Sequence, residues 1–254
     1  MIPVLFYIGN VPVYAYGLFF FLAILTGFGM LFYEARRRGW PKEELIPITL
    51  GAFIGGMVFA RVSIFFFDGI RTAEQTLSLF ALFDPRIGPG SILGGVAGAY
   101  LGGYIASKAM GKDDCSCDAF APGMALAMGI GRFGAFLGGV DYGVATEVPW
   151  GVTLPGVGYA VHPAPLYDAL FNFAWFAVLL GLRDHPKLQN GNLLKFGVLG
   201  YAVFRFFVEF VRTNRVLILG LTFQQVFCVL LAAAILVYYF RNRRMNFEAG
   251  GAAT

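Results

Sequence analysis

Seven stretches of this chain are apolar over lengths that match a bilayer, at about residues 13–34, 47–67, 91–109, 120–140, 164–182, 196–213 and 219–240. An α-helix rises about 1.5 Å per residue, so about 20 apolar residues cross a hydrocarbon core of about 30 Å. The pattern predicts an all-α polytopic membrane protein of about seven transmembrane helices with a small extracytoplasmic head element. The third run contains GGVAGAYLGG, and glycine at that density predicts a close helix–helix contact. Two connecting segments are long enough to carry structure. Residues 68–90 hold Asp68, Arg71, Glu74, Asp84 and Arg86. Residues 141–163, DYGVATEVPWGVTLPGVGYAVHP, are Gly- and Pro-rich with alternating apolar positions and predict a turn-rich or hairpin element over the outer membrane surface. The expected organisation is a single transmembrane domain over 1–245 and a flexible cytoplasmic tail over 246–254.

Composition agrees with this class. The chain is 58% hydrophobic and 13% charged, against about 25% charged in soluble domains. The N-terminus MIPVLFYIGNVPVYAYG has no basic n-region and is expected to run directly into the first span as uncleaved chain. Loop charge sets the orientation. Arg36, Arg37, Arg38, Lys42, Lys108, Lys112, Arg183, Lys187, Lys195, Arg241, Arg243 and Arg244 all fall on one side if there are seven spans. That predicts a membrane protein with its N-terminus outside and its C-terminus in the cytoplasm. The net charge of +4 follows from these loops and does not point to nucleic acid. Cys115 and Cys117 form a C-x-C in GKDDCSCD, and Cys228 lies in an apolar run. Without a second pair or a nearby histidine they read as incidental thiols, and no metal or cofactor is expected.

The chemistry lies in charges placed where lipid forbids them. Arg61, Arg132 and Arg205 sit inside apolar runs, where an arginine costs at least about 2.5–3.5 kcal/mol on insertion scales. Each needs a polar cavity, a carboxylate or an anionic ligand, and the abundant anions of a membrane are lipid phosphates. Arg132 is flanked by small residues in GIGRFGAFLGG, so backbone can approach a ligand closely. It reads either as a clamp on phosphate or as one half of a structural ion pair. Arg205, Glu209 and Arg212 are spaced i, i+4, i+7, which predicts one helix face, an Arg205–Glu209 pair and Arg212 near headgroup depth. His162 opens HPAPLYDA, where Pro163 and Pro165 suit a helix start and Asp168 is favourable against the helix dipole. His162 is a candidate general base, with an interfacial structural histidine as the alternative. There is no G-x-S-x-G, H-E-x-x-H or P-loop. Any catalysis would rest on positioning and electrostatics.

Taken together these motifs resemble the bacterial prolipoprotein diacylglyceryl transferases over nearly the whole chain. The resemblance is carried by YGLFFFLAIL from Tyr16, FARV around Arg61, SILGGVAGA with Gly94 and Gly95, GRFGAFLGG with Arg132 and Gly134, HPAPLYDAL from His162, GYAVFRFFVEFVRTN with Tyr201, Arg205, Glu209 and Arg212, and LTFQQVF with Gln225. It implies transfer of a diacylglyceryl group from phosphatidylglycerol to the thiol of a lipobox cysteine, with glycerol 1-phosphate leaving. The implied partners are phosphatidylglycerol and prolipoprotein signal peptides. Arg132 and Arg212 are implied as the essential arginines. Tyr16, Arg61, Gly94, Gly95, Gly134, Tyr201, Arg205, Glu209 and Gln225 are implied to bind substrate.

The sequence departs from the family pattern at several polar positions. Leu93 stands where the family has a histidine. The N-F-x-N-G-E of its signature is Ala135–Val140 here, with Asp141 as the nearest stand-in for the glutamate. Pro165 replaces a glutamine, and R-x-P-D ends as R-T-N. These losses leave an alternative open: a catalytically degenerate paralogue that binds lipid or serves as a subunit of a membrane complex. An anion transporter is the third reading, and the absence of an internal sequence repeat weighs against it.

Overall fold

The computed structural model describes residues 2–67, 92–111, 117–154, 158–214, 216–218 and 220–251. The expectations placed on 68–90, on Lys112 and on Cys115 lie outside the described residues. Seven long helices fall on the seven apolar runs: α1 Ala15–Arg37, α2 Lys42–Phe67, α3 Ile92–Ala109, α4 Phe120–Leu137, α5 Ala164–Leu182, α6 Asn192–Val208 and α7 Phe223–Gly251. Among the described residues four segments are long and apolar enough to cross a membrane: Ala15–Arg37, Glu43–Val62, Cys117–Leu137 and Ala164–Leu182. Phe223–Tyr239 is a shorter apolar helix. The chain is therefore a mostly helical, polytopic membrane protein. Phe20, Phe21 and Leu25 of α1 and Leu50, Ile54 and Met57 of α2 are exposed, which suits helices solvated by acyl chains. Arg36 and Arg37 close α1 and Glu43 and Glu44 open α2, so the charges at both ends complement the helix dipoles.

The chain divides into two units, Phe32–Cys117 and the remainder, Met1–Leu31 with Asp118–Thr254. In the first, α2 packs on α3, and the glycines expected to mark a close contact do so. A Cβ on Gly102 would lie 2.1 Å from the Gly51 carbonyl oxygen, and one on Gly98 would lie 2.2 Å from that of Gly55. Any side chain there would drive the backbones apart. Beside this pair, the buried Glu34 takes Arg37 at 3.1 Å and Arg38 at 3.8 Å.

In the other unit α4 packs on α5, α5 on α6 and α6 on α7. Phe171 and Phe204 stack at 3.9 Å between ring centroids across α5 and α6. The Trp175 indole N–H donates to the Gly197 carbonyl at 3.0 Å. A Cβ on Gly200 would lie 2.1 Å from the Trp175 ring, so the glycine admits the indole. The start of α6 is capped from a distance. Its N-cap Gly191 has no side chain to offer, and the fully buried Asp118 accepts from the Gly191 N–H at 2.8 Å and the Leu194 N–H at 3.0 Å. Asp118→Ala leaves one buried and one part-buried donor unpaired and is expected to cost about 2 kcal/mol. Denaturation in detergent and faster amide exchange at residues 191–194 check this, and Asp118→Asn, which keeps one acceptor oxygen, should lose less.

Among the described residues three short antiparallel hairpins accompany the helices. β1 Val4–Ile8 pairs with β2 Val11–Tyr14 through a turn at Gly9, where φ is +60°. The expectation that the N-terminus runs directly into the first span is thus corrected: VLFYI and VPVY flank Gly9–Asn10, a β-branched and aromatic pattern around a turn. β3 Val152–Thr153 pairs with β4 Ala160–Val161 inside the segment expected to be turn-rich. β5 Val216–Ile218 pairs with β6 Leu221–Thr222 and leads into α7.

Candidate active site

Five different segments deliver charged groups to one place. Arg132 comes from the last turns of α4, Asp168 from the first turns of α5, Arg205 from α6, and Asp141 and Arg212 from the segments that follow α4 and α6. Asp168 is the hub. Its Oδ2 lies 2.7 Å from Arg212 Nη1, 3.3 Å from Arg132 Nε and 3.7 Å from Arg205 Nη1. Asp141 Oδ2 receives Arg132 Nη1 at 2.5 Å and also a hydrogen bond from Arg212 Nη2. Arg205 Nη2 pairs with Glu209 Oε2 at 2.8 Å, as their i, i+4 spacing predicts. The side chains of Arg212, Asp168 and Glu209 are 3%, 1% and 0% exposed, whereas that of Asp141 is 36% exposed. Three guanidiniums and three carboxylates thus form a closed set of balanced charge, which removes the penalty of an isolated ion at depth.

Arg212 enters differently from the way its spacing predicts. α6 ends at Val208, a single 3-10 turn covers Glu209–Val211, and Arg212 is extended with φ −102° and ψ 156°. It pairs as an isolated β-bridge with Gly143. The helix therefore does not hold Arg205, Glu209 and Arg212 on one face. The Val144 N–H bonds to the Val211 carbonyl at 2.9 Å and locks this strand to the loop after α4. Gly143 is required there, because a Cβ would lie 2.3 Å from the Val211 carbonyl oxygen. Burial pushes the Asp141 carboxyl upward, but the charges of Arg212 and Arg132 and their hydrogen bonds outweigh it and hold the group below the usual carboxylate range. Asp141 is therefore ionised throughout the neutral range.

Tyr16 and Tyr201 border this cluster. Tyr16 feels the charges of Arg132 and Asp141, and the buried Tyr201 those of Arg205, Asp168, Arg132 and Arg212. Gly134 has a packing role, since a Cβ on it would lie 2.3 Å from Phe19 Cβ of α1. His162 is half-buried, and its Nδ1 lies 3.2 Å from the Tyr167 hydroxyl, which accepts the Trp150 indole N–H at 2.7 Å. Its backbone joins the same loop, with the Gly143 N–H donating to the His162 carbonyl and the His162 N–H to the Val144 carbonyl. Gln225 forms a capping box with Thr222: the Gln225 N–H donates to Thr222 Oγ1 at 3.3 Å, and the Thr222 N–H donates to Gln225 Oε1 at 2.9 Å. Its Nε2 donates to the Phe206 carbonyl at 3.2 Å. The Thr222 hydroxyl donates to Glu209 Oε1 at 3.0 Å, and Asn214 Nδ2 donates to the same oxygen at 2.5 Å. The start of α7 is thereby fastened to the Arg205–Glu209 pair. Arg61, Gly94 and Gly95 belong to the other unit, where Gly94 is buried and Gly95 faces Ala60 and Gly56 of α2.

The sequence reading gave Asp168 only a dipole role and missed the hub. The available signal was general: three arginines in apolar runs require carboxylates, and Asp168 is one of the few acidic residues at such a position.

The chain is thus a polytopic membrane protein with a buried polar centre of arginines and their counterions. The chain belongs to the prolipoprotein diacylglyceryl transferase family, whose profile matches residues 3–241. It is 31% identical over 224 residues to the phosphatidylglycerol–prolipoprotein diacylglyceryl transferase of Clostridioides difficile, covering 88% of each chain. It is 30% identical over 250 residues to the proteins of that name from Bacillus cereus and Bacillus anthracis, covering 94% of this chain and 91% of theirs.

Proposed function

We infer that this chain transfers the diacylglyceryl group of phosphatidylglycerol to a cysteine thiol of prolipoprotein substrates. The observation that carries the reading is the pairing of Arg132 and Arg212 around shared carboxylates, in a chain that belongs to the transferase family. In the reaction the thiol sulfur attacks the glycerol carbon that carries the phosphate ester. A thioether forms, the carbon–oxygen bond breaks with its electron pair on oxygen, and glycerol 1-phosphate departs. The departing phosphate gains negative charge in the transition state, and buried guanidiniums aimed at it lower that barrier. The thiol proton needs an acceptor. His162 is our candidate, with its Nδ1 at the Tyr167 hydroxyl leaving Nε2 as the second ring nitrogen. Tyr16 and Tyr201, which border the arginines, are our candidates for contact with the lipid headgroup. No observation among the described residues favours the non-catalytic alternative.

The direct test is transfer of labelled diacylglyceryl from phosphatidylglycerol to a lipobox peptide by the purified chain in lipid. No transfer by folded protein would sink the reading.

The orientation is part of the same proposal: seven spans in a bacterial inner membrane, N-terminus outside, with the arginine cluster toward the outer leaflet. Reporter fusions after residues 40, 112, 190 and 245 are expected to report cytoplasm. A periplasmic signal at 112 or 190 would overturn the span count.

A further inference from the structure

The six charges of the cluster are not equivalent. Asp168 and Glu209 are sealed within helices, with side chains 1% and 0% exposed. Asp141 is 36% exposed and stands in a loop, after Gly138 and Gly139 at the end of α4, with φ at +65°. Aspartate adopts that left-handed conformation more readily than most residues, and its side-chain contacts fix it here. Those contacts are the two arginines, since the same oxygen of Asp141 bonds both Arg132 and Arg212. The buried Nε of Arg212 has no hydrogen-bond acceptor, and that of Arg132 has only its ionic contact with Asp168 at 3.3 Å. Asp141 therefore satisfies the pair incompletely, through one shared oxygen, and an anion whose two charged oxygens reach both guanidiniums would satisfy it better.

Charge accounting narrows the choice of anion. With Asp141 in place, Arg132, Arg205 and Arg212 balance Asp141, Asp168 and Glu209. With Asp141 withdrawn, the set carries one positive charge. A phosphodiester carries one negative charge and two unesterified oxygens, so it replaces the carboxylate at constant net charge and can give each arginine an oxygen of its own, where both bond the same oxygen of Asp141.

We propose that Asp141 is an exchangeable counterion: it occupies the phosphate position between Arg132 and Arg212 in the empty protein and is displaced by the phosphodiester of a bound anionic lipid. The exchange rests on the transferase reading and adds to it how the site is kept neutral between turnovers. An empty pair of buried arginines would carry a large desolvation penalty, which the loop carboxylate removes. After transfer, the returning carboxylate competes with glycerol 1-phosphate for the same donors and promotes its release. Asp168 stays as the fixed partner that orients both arginines.

Two experiments test this on the full chain in nanodiscs. In the first, wild-type protein is labelled at carboxylates with a carbodiimide and an amine, and the Asp141 peptide is followed by mass spectrometry. Phosphatidylglycerol is expected to raise labelling of Asp141 severalfold. Unchanged or reduced labelling overturns the exchange, and an equal rise with inorganic phosphate alone overturns the assignment to a lipid. In the second, Asp141→Asn and Asp141→Ser are both expected to lower KM for phosphatidylglycerol about tenfold, the equivalent of about 1.4 kcal/mol. Inhibition by glycerol 1-phosphate should tighten by a similar factor, and Asp141→Glu should restore wild-type behaviour. A raised or unchanged KM in both variants overturns the proposal. A wild type that transfers normally while Asp141 labelling ignores the lipid sinks the exchange alone. A wild type that neither binds phosphatidylglycerol nor transfers sinks the transferase reading beneath it.

Discussion

Asp168→Asn is expected to destabilise the protein by about 3–5 kcal/mol, the cost of breaking a buried ion pair from one side. The carboxylate is buried and one of its oxygens faces three guanidiniums, at 2.7, 3.3 and 3.7 Å. Without it Arg132, Arg205 and Arg212 keep only Asp141 and Glu209, and like charges remain close together away from water. The asparagine is nearly isosteric, so the loss isolates charge from packing. Unfolding in mixed detergent–denaturant micelles measures it. Asp141→Asn provides the contrast: its carboxylate is partly exposed, so water can stand in for part of its charge and the change should cost less. A second change, Arg132→Gln in the Asp168→Asn background, should recover part of the loss, because it leaves Arg212 with Asp141 and Arg205 with Glu209. Wild-type stability in Asp168→Asn alone would mean that the hub does not hold the unit together.

Arg132→Ala and Arg212→Ala are expected to lower the rate of diacylglyceryl transfer by on the order of 10²–10³, the usual loss when a preorganised donor to a developing oxyanion is removed. Arg212→Lys should recover little, because an ammonium cannot bridge Asp168 and a phosphate with a planar fork. Its guanidinium does bridge two acceptors here, Asp168 through Nη1 and Asp141 through Nη2. His162→Ala should cost less than either arginine change. A thiol with a pKa near 8.5 is a few per cent thiolate at neutral pH and intrinsically nucleophilic, so a base assists the reaction without being indispensable. The assay is the same transfer of labelled lipid to a lipobox peptide, with folding of each variant checked by its unfolding transition. Normal transfer by Arg132→Ala would refute the site assignment, and a larger loss in His162→Ala than in either arginine variant would make proton removal the dominant step.

Much of the scaffold was legible because lipid leaves the chain few options. Backbone groups must be satisfied within each segment, so apolar runs of bilayer length become helices, and α1 to α5 begin and end within about five residues of the predicted runs. Local relations were equally readable. Arg205 and Glu209, four residues apart, do pair, and Pro163 and Pro165 do stand at the start of α5. Thr222 and Gln225 were also within local reach as a T-x-x-Q capping box, although the family motif drew attention to Gln225 as a substrate contact instead.

The sequence by itself therefore determined the class, the helices and the need for counterions to Arg132 and Arg205. Which counterions answer that need was decided only by the tertiary structure. Asp168 is 36 residues from Arg132 and 44 from Arg212, and Asp118 caps an α6 that begins more than 70 residues later. Arg212 left its predicted helix face because the chain after Val208 bonds to the loop that follows α4. Helical spacing is a property of neighbouring residues and can be read along the chain. The partner of a buried charge is whichever opposite charge the packed helices bring within a few ångströms, and no pattern along the chain encodes that distance.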